Sequence, residues 1–423
     1  MPLTLSALLR YGLLAMPLAM AALPVYVLAP GFYGDTLGLP LAVLGFTLLG
    51  TRLIDTVQDP LLGYWSDRVR NGRVRFTALG LPLLAAGFVA LFNPPALSDA
   101  GLIVWLVGSL LLAYTGYSMS SISYHAWGAE LGRSGEDRTR VTAIREGFSL
   151  AGILLAALLP QALMRTLDVP AAMAWFAGGF VVILLVTAAI TLARAPRPAA
   201  SRPNGGSPWR SWRRALSNRD FLQLCSIFLL NGMAAAVPAT LVVFYVEYIL
   251  DAAAWTGLFL ALYFLAGVAG MPLWVRVAAV RGKRNAWLLA MGMAIVAFAW
   301  AAALGSGDLA AFALICIVTG LALGADLALP PALLADILAS RPNGFDDAGS
   351  HFGLWNLLAK LSLALAAGIA LPMLQWLGFS PGETAAGLGA LAATYALLPC
   401  ALKLAAALAL TRWQVPEPSE AAA

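Results

Sequence analysis

Arg52-Leu-Ile-Asp55-Thr-Val-Gln-Asp59-Pro60-Leu-Leu-Gly63-Tyr-Trp-Ser-Asp67-Arg68 places two carboxylates inside a strongly apolar run. Asp55 and Asp59 are four residues apart, so a helix puts their side chains on one face, with Arg52 a turn earlier on nearly the same face. The run around them, residues 40 to 65, is long enough to cross a hydrocarbon core of ~30 Å as a helix. An aspartate at the middle of such a helix costs roughly 2.5 to 3.5 kcal/mol on insertion scales, so acids there usually mark ion or proton pathways.

Apolar runs of the same kind recur along the chain. Of its 423 residues 61% are hydrophobic and 11% charged, which excludes an ordinary soluble protein. Twelve spans are expected, at about 5–28, 40–65, 76–95, 101–129, 139–164, 172–193, 219–249, 255–277, 285–304, 309–338, 351–376 and 384–411. The predicted fold class is an all-α membrane protein. The first span resembles a secretory signal only in position: its apolar run is too long, and it is read as a transmembrane helix.

Basic residues fall in alternate connections. Arg68, Arg70, Arg73 and Arg75 follow span two, Arg133, Arg138 and Arg140 follow span four, and seven arginines from Arg194 to Arg219 follow span six. Arg276, Arg281, Lys283 and Arg284 follow span eight, Arg341 follows span ten and Arg412 follows span twelve. The intervening loops, around Asp35, Asp99, Asp168, Asp251, Asp308 and Glu383, carry only Arg165. By the positive-inside rule the even connections and both termini are expected on the cytoplasmic side. The net charge of +5 therefore reports topology, and no nucleic-acid partner is expected. Cys225, Cys316 and Cys400 lie within apolar spans without metal-type spacing, as small buried hydrophobes do.

Residues 195–218, rich in Pro, Gly, Ser and Arg, separate two sets of six spans. The expected organisation is a six-helix bundle over 1–194, a basic cytoplasmic linker over 195–218, a second six-helix bundle over 219–412 and a cytoplasmic tail over 413–423. Within the linker, Trp209 and Trp212 interleave with Arg210, Arg213 and Arg214, either as an amphipathic segment on the membrane surface or as a flexible tether with snorkelling side chains. The halves echo each other after their second spans, with Gly63, Trp65, Gly72 and Arg73 in one and Trp274, Gly282 and Lys283 in the other. Two six-helix halves joined by a long loop are the architecture of secondary transporters with a midplane site.

Lys360, one of three lysines, lies inside span eleven. Two carboxylates with Arg52 and Lys360 as charge partners can neutralise one another, and a Na⁺ or H⁺ arriving at the aspartates would shift that balance and bias a two-state carrier. The alternative is a buried ion cluster that joins helices and binds no cation, although such pairs stabilise little on balance. Arg145 and Glu146 near the start of span five anchor that helix or belong to the site; the sequence leaves both open. Gly63, Asp67, Arg68 and Arg73 fit a cytoplasmic gate in which glycine permits close helix approach and ion pairs hold the side shut, or else ordinary flanking charge.

These residues together resemble the major facilitator superfamily, specifically its glycoside-pentoside-hexuronide:cation symporter branch. Arg52-x-x-Asp55-x-x-x-Asp59-Pro60-x-x-Gly63, continued by Ser66-Asp67-Arg68, resembles the branch's helix-two signature. Tyr117-Ser118, Glu130-Leu131, Arg138-Thr139-Arg140, Arg145 and Lys360 extend the likeness over the chain. The resemblance implies a major facilitator fold of twelve transmembrane helices in two bundles. It implies Asp55 and Asp59 as coupling-cation ligands, Ser118 as a further oxygen and Lys360 as their charge partner, with Na⁺ or H⁺ as the coupling ion and no other cofactor. It also implies a multi-pass plasma-membrane protein, of the bacterial inner membrane, working as a monomer in the lipid bilayer.

The sequence also departs from the branch. Its sugar-transporting members use an acid on helix one and another on helix four, where this chain has Ala19 and Ser121. The helix-four aromatic is displaced, with His125 near its place and Trp127 beside it, and the acidic pair after helix ten is reduced to Asp336 by Ala339. Lost carboxylates remove the main acceptors for sugar hydroxyls. Two substrates are therefore expected as alternatives: a small organic solute, a sugar or glycoside by resemblance, or an amphiphile such as a lysophospholipid moved by a coupled carrier or flippase. Ala19, Tyr117, Ser121, His125, Arg145 and Asp326 are the candidate substrate-facing residues. An enzyme is not expected, because His125 and His351 are the only histidines and lie in different halves.

Overall fold

The computed structural model describes residues 3–69, 71–198, 207–342, 344–378 and 387–414. Arg70, linker residues 199–206, the loop residue Glu383, the expected start of span twelve at 384–386 and the tail from 415 lie outside the described residues. Every regular element among the described residues is helical. The helices are α1 (Leu5–Gly12), α2 (Ala15–Leu23), α3 (Leu41–Arg68), α4 (Gly72–Phe92), α5 (Asp99–Leu131), α6 (Gly135–Leu163) and α7 (Val169–Arg194). After them come α8 (Pro208–Leu216), α9 (Arg219–Tyr248), α10 (Thr256–Arg281), α11 (Lys283–Ala299), α12 (Leu309–Ala339), α13 (Ala348–Trp376) and α14 (Leu388–Arg412).

Among the described residues, eleven helical stretches are long and apolar enough to cross a membrane. The twelfth expected span is α3, whose 28 residues have the length but carry Arg52, Asp55, Asp59, Asp67 and Arg68. The first expected span differs in form. It breaks after Gly12, resumes as α2 and passes into a wider π-helical turn at Pro24–Leu28. Pro17 and Pro24 lack the N–H that would continue the ladder, which loosens the helix locally. Side chains fix the starts of other helices: Ser98 caps α5, Ser134 caps α6 and Asp168 caps α7, each accepting a backbone N–H of the first turn. α5, with 33 residues, is about 50 Å long, so its ends extend past a hydrocarbon core.

The chain forms two compact units. The first holds residues up to Ala215 together with Arg341–Leu357, and the second holds Leu216–Ser340 and the remainder from Leu358. α13 therefore starts in the first unit and continues in the second. The first unit's core is aromatic, with Phe88 4.2 Å from Phe180 and 5.1 Å from Phe92 between ring centroids. α4 and α5 approach closely because Gly80 and Gly116 face each other; a Cβ on Gly116 would sit 2.3 Å from the backbone nitrogen of Leu84. The second unit's core stacks Tyr245 on Tyr395 at 4.0 Å, and the Tyr245 hydroxyl donates to the Ala301 carbonyl at 2.6 Å.

α3 shows why the first unit positions a site. Phe46, Leu49, Leu53 and Val57 are 77%, 57%, 60% and 67% exposed, a stripe at helical spacing suited to lipid. Thr51, Asp55, Asp59 and Ser66, on the other side of the helix, are all buried. The apolar stripe faces outward and turns the carboxylates into the protein.

Candidate functional site

Asp55, 1% exposed, is held between α3 and α5. Ser118 Oγ donates to its Oδ1 at 3.1 Å, and Gln58 Nε2 donates to the same oxygen at 3.1 Å. Gln58 is in turn fixed by the Thr115 hydroxyl, which donates to its Oε1 at 3.0 Å. Asp59, fully buried, receives Asn356 Nδ2 on Oδ2 at 2.8 Å, from the first turns of α13. Hydroxyl and amide donors from three helices hold these buried carboxylates in place. The donor set, two carboxylates with hydroxyl and amide oxygens nearby, suits a hard cation such as Na⁺, and either carboxylate suits a proton.

Asp55 and Ser118 touch, and Asp59 lies one turn along the same buried face of α3. Arg52 is half-buried one turn before Asp55. Lys360 is buried in the part of α13 that belongs to the second unit, one turn beyond Asn356. Sequence reading missed Gln58, Thr115 and Asn356. The signal was present for two of them: Gln58 sits between the aspartates, and Asn356 precedes Lys360 by four residues, marking a polar stripe on an apolar helix.

A second buried network gathers at the end of α3. Asp67 accepts the backbone N–H groups of Gly349 and Ser350, each at 2.7 Å, and the Ser350 hydroxyl at 2.6 Å. Arg73, at the start of α4, gives Nη1 to Asp67 at 2.6 Å, Nε to Glu130 at 2.7 Å and Nη2 to the Phe345 carbonyl at 3.0 Å. Asp67 thus caps the N-terminus of α13 from a different helix, where unpaired amides and the helix dipole favour an anion. Gly63 makes the approach possible, since a Cβ there would meet the Gly349 carbonyl oxygen at 2.1 Å, and one on Gly353 would meet the Asp59 carbonyl oxygen at 2.7 Å. Arg68 stands apart from this knot and lies over the Tyr64 ring at 4.5 Å. From sequence, the expected partners of Asp67 were the arginines of its own loop; the start of α13 was not foreseen.

The candidate substrate-facing residues divide. Tyr11 on α1 stacks on Tyr124 of α5 at 4.5 Å and donates its hydroxyl to the Tyr124 carbonyl at 2.8 Å. Arg145, buried beside Tyr11, pairs with Glu146 at 2.6 Å. Ala19 on α2 and Tyr117 on α5 are half-buried, and Ser121 is buried. His125 meets Phe352 edge-on at 6.1 Å, while the Trp127 indole donates to the Pro196 carbonyl at 2.8 Å.

Asp326 belongs to the second unit, where its two oxygens already have partners. Oδ2 pairs with Lys403 at 2.7 Å and Oδ1 accepts the Trp287 indole N–H at 2.8 Å. Lys403 also donates to Asn231 Oδ1 at 2.7 Å, so the charges are neutralised among α9, α11, α12 and α14. Lys403 was missed, although a lone lysine in an apolar span is itself a signal. Lys403→Met is expected to lower stability by about 3 kcal/mol, because it strands a largely buried carboxylate. Adding Asp326→Asn should restore most of the loss, a non-additivity read from thermal unfolding of the single and double variants. Nearer the end of α12, Asp336 pairs with Lys283.

Comparison with known proteins agrees with this architecture. The putative sulfoquinovose importer of Escherichia coli (strain K12) is 26% identical over 408 residues, covering 90% of this chain and 84% of the relative. The uncharacterized symporter YjmB of Bacillus subtilis (strain 168) is 28% identical over 144 residues, 33% of this chain, so the chain spans only 31% of that relative's length. Among solved structures, the E. coli fucose:proton symporter FucP superposes with a TM-score of 0.72 at 12% identity, covering 97% of this chain and 98% of that one, a likeness of fold alone. A family model described as MFS/sugar transport protein matches residues 9–417, nearly the whole chain. This multi-pass membrane protein belongs to the MFS/sugar transport protein family.

Proposed function

We propose that the protein is a symporter that couples entry of Na⁺ or H⁺ at Asp55 and Asp59 to movement of a small sugar-type solute by alternating access. The observation that carries this is the buried carboxylate pair of α3, served at Asp55 by Ser118 and Gln58 and at Asp59 by Asn356. Cation binding there would change the charge of a desolvated site, and a two-state carrier responds to any ligand that prefers one of its states. The even-numbered connections and both termini would be cytoplasmic, in the inner membrane of a bacterium, with the Asp67–Arg73 knot as a gate on that side.

For the solute, an acidic sugar fits best. The positions where sugar-transporting members of the symporter branch carry acids are Ala19 and Ser121, so neither repels an anion. Arg145, buried in the same unit and paired with Glu146, would exchange that partner for the solute's anionic group, and the relative matched over 90% of this chain is named a putative importer of sulfoquinovose, a sulfonated sugar. A neutral sugar needs several hydroxyl acceptors, whereas an anionic group is held by guanidinium.

The test is uptake by proteoliposomes under an imposed Na⁺ or pH gradient, comparing acidic sugars with neutral glycosides. Accumulation of acidic sugars that collapses with the gradient is expected. Gradient-independent equilibration would overturn the coupling, and accumulation of neutral glycosides alone would overturn the solute class.

A further inference from the structure

One helix takes no part in the transport reading above. α8, Pro208-Trp-Arg-Ser-Trp-Arg-Arg-Ala-Leu216, has nine residues and no acid. Ser211 and Ala215, four residues apart, are buried and define its inward face. Two side chains at the margin of that face attach it to the first unit. The Trp212 indole reaches the Pro60 carbonyl of α3 at 3.3 Å, and Arg214 Nη1 reaches Asp347 Oδ2 at 3.4 Å. The remaining surface carries Trp209, 67% exposed, with exposed Arg210, Arg213 and Arg214.

An exposed indole among guanidinium groups has a specific complement. Indoles settle at the headgroup level of a bilayer, and planar guanidinium forks match phosphate oxygens in pairs. An acidic protein or a nucleic acid would complement the arginines but leave Trp209 in water. A bilayer with a negative surface satisfies both. Such a surface is expected on the cytoplasmic leaflet, so the sidedness of the inference rests on the orientation proposed above.

We propose that Trp209, Arg210, Arg213 and Arg214 of α8 bind anionic phospholipid headgroups of the bilayer that holds the protein, and that Arg214 is shared between a headgroup and Asp347. The sharing gives lipid charge a route to both sites of the first unit. Asp347 immediately precedes α13, whose Gly349 and Ser350 amides hold Asp67, and Pro60, under Trp212, immediately follows Asp59. A headgroup that draws Arg214 away from Asp347 removes one tie at the start of α13.

The measurement is the association of spin-labelled phosphatidylglycerol against spin-labelled phosphatidylcholine with the full chain in nanodiscs, read by electron paramagnetic resonance. The wild type is expected to prefer phosphatidylglycerol, with the preference falling as salt is raised. Replacing Arg210, Arg213 and Arg214 with Gln should cut the preference by about fivefold per arginine and abolish its salt dependence. Asp347→Asn should raise the preference, since it releases Arg214 to the lipid. Equal association of the two lipids with the wild type at low salt would overturn the proposal, as would an unchanged preference in the triple variant. The single variant Arg210→Gln, at an exposed position, should lower the preference about fivefold and keeps the test readable if the triple variant fails to fold, and an unchanged preference in Asp347→Asn would overturn the sharing of Arg214. Because no transport is measured, a failure here is distinct from a failure of the symport reading.

Discussion

Asp55→Asn and Asp59→Asn are each expected to abolish gradient-driven accumulation of solute while leaving the protein folded. The substitution keeps size and hydrogen-bonding shape but removes the charge a cation binds. Interactions with a charged group contribute about 1.5 to 3 kcal/mol, so cation affinity should fall roughly tenfold to a hundredfold at each position. The two positions differ in detail. Asp55 is held by Ser118 and Gln58, both as donors, so an amide can turn its oxygen toward them and keep these contacts. Asp59 meets Asn356 from α13, and its loss also affects a contact made across two helices. Asp55→Asn should therefore lower the unfolding temperature less than Asp59→Asn. Solute exchange without a gradient should survive better than accumulation, because exchange does not need net cation movement. Full gradient-driven accumulation in both variants would refute a coupling role for the pair.

Ser118→Ala separates ligation from mere polarity. It removes one oxygen near Asp55 without changing charge, and its effect should be confined to the cation dependence of uptake, with the maximal rate preserved. Equal loss at saturating cation would mean that Ser118 only orders the interior of α5.

Much of this was legible in the sequence because a membrane makes sequence patterns strict. Lipid demands apolar stretches of fixed length and internally satisfied backbone, so most spans fell within a few residues of their helices. The same cost of intramembrane charge made Asp55 and Asp59 conspicuous and tied them correctly to one face of α3. What the sequence hid depends on distance along the chain. Asp67 found its partners at Gly349 and Ser350, 282 and 283 positions away, and backbone amides leave no signature in side-chain identity. The break within the first span arises from Pro17 and Pro24, whose effect inside apolar helices depends on neighbours that can absorb it. Asp326 looked like a ligand-facing acid because Lys403 lies 77 positions further on. Its pairing became visible only once four helices were packed together.

The Asp67–Arg73 knot carries the largest expected effect on stability. Arg73→Met would leave Asp67 and Glu130 buried without their shared cation, and breaking a buried pair from one side costs about 3 to 5 kcal/mol. Asp67→Ala strands the guanidinium less completely, since Glu130 remains on its Nε, but it also uncaps two amides and the hydroxyl at the start of α13. Glu130→Gln should be the mildest of the three, because Arg73 keeps Asp67 at 2.6 Å and the Phe345 carbonyl at 3.0 Å. Thermal unfolding in detergent should therefore rank Arg73→Met as least stable, then Asp67→Ala, then Glu130→Gln. The Asp67→Ala, Arg73→Met double variant should lose less than the sum of its parents, since removing both charges leaves fewer stranded groups than removing either alone. Strictly additive losses would mean that Asp67 and Arg73 contribute separately. In that case the close approach at Gly63, and not the ion pair, would be what joins α3 to α13.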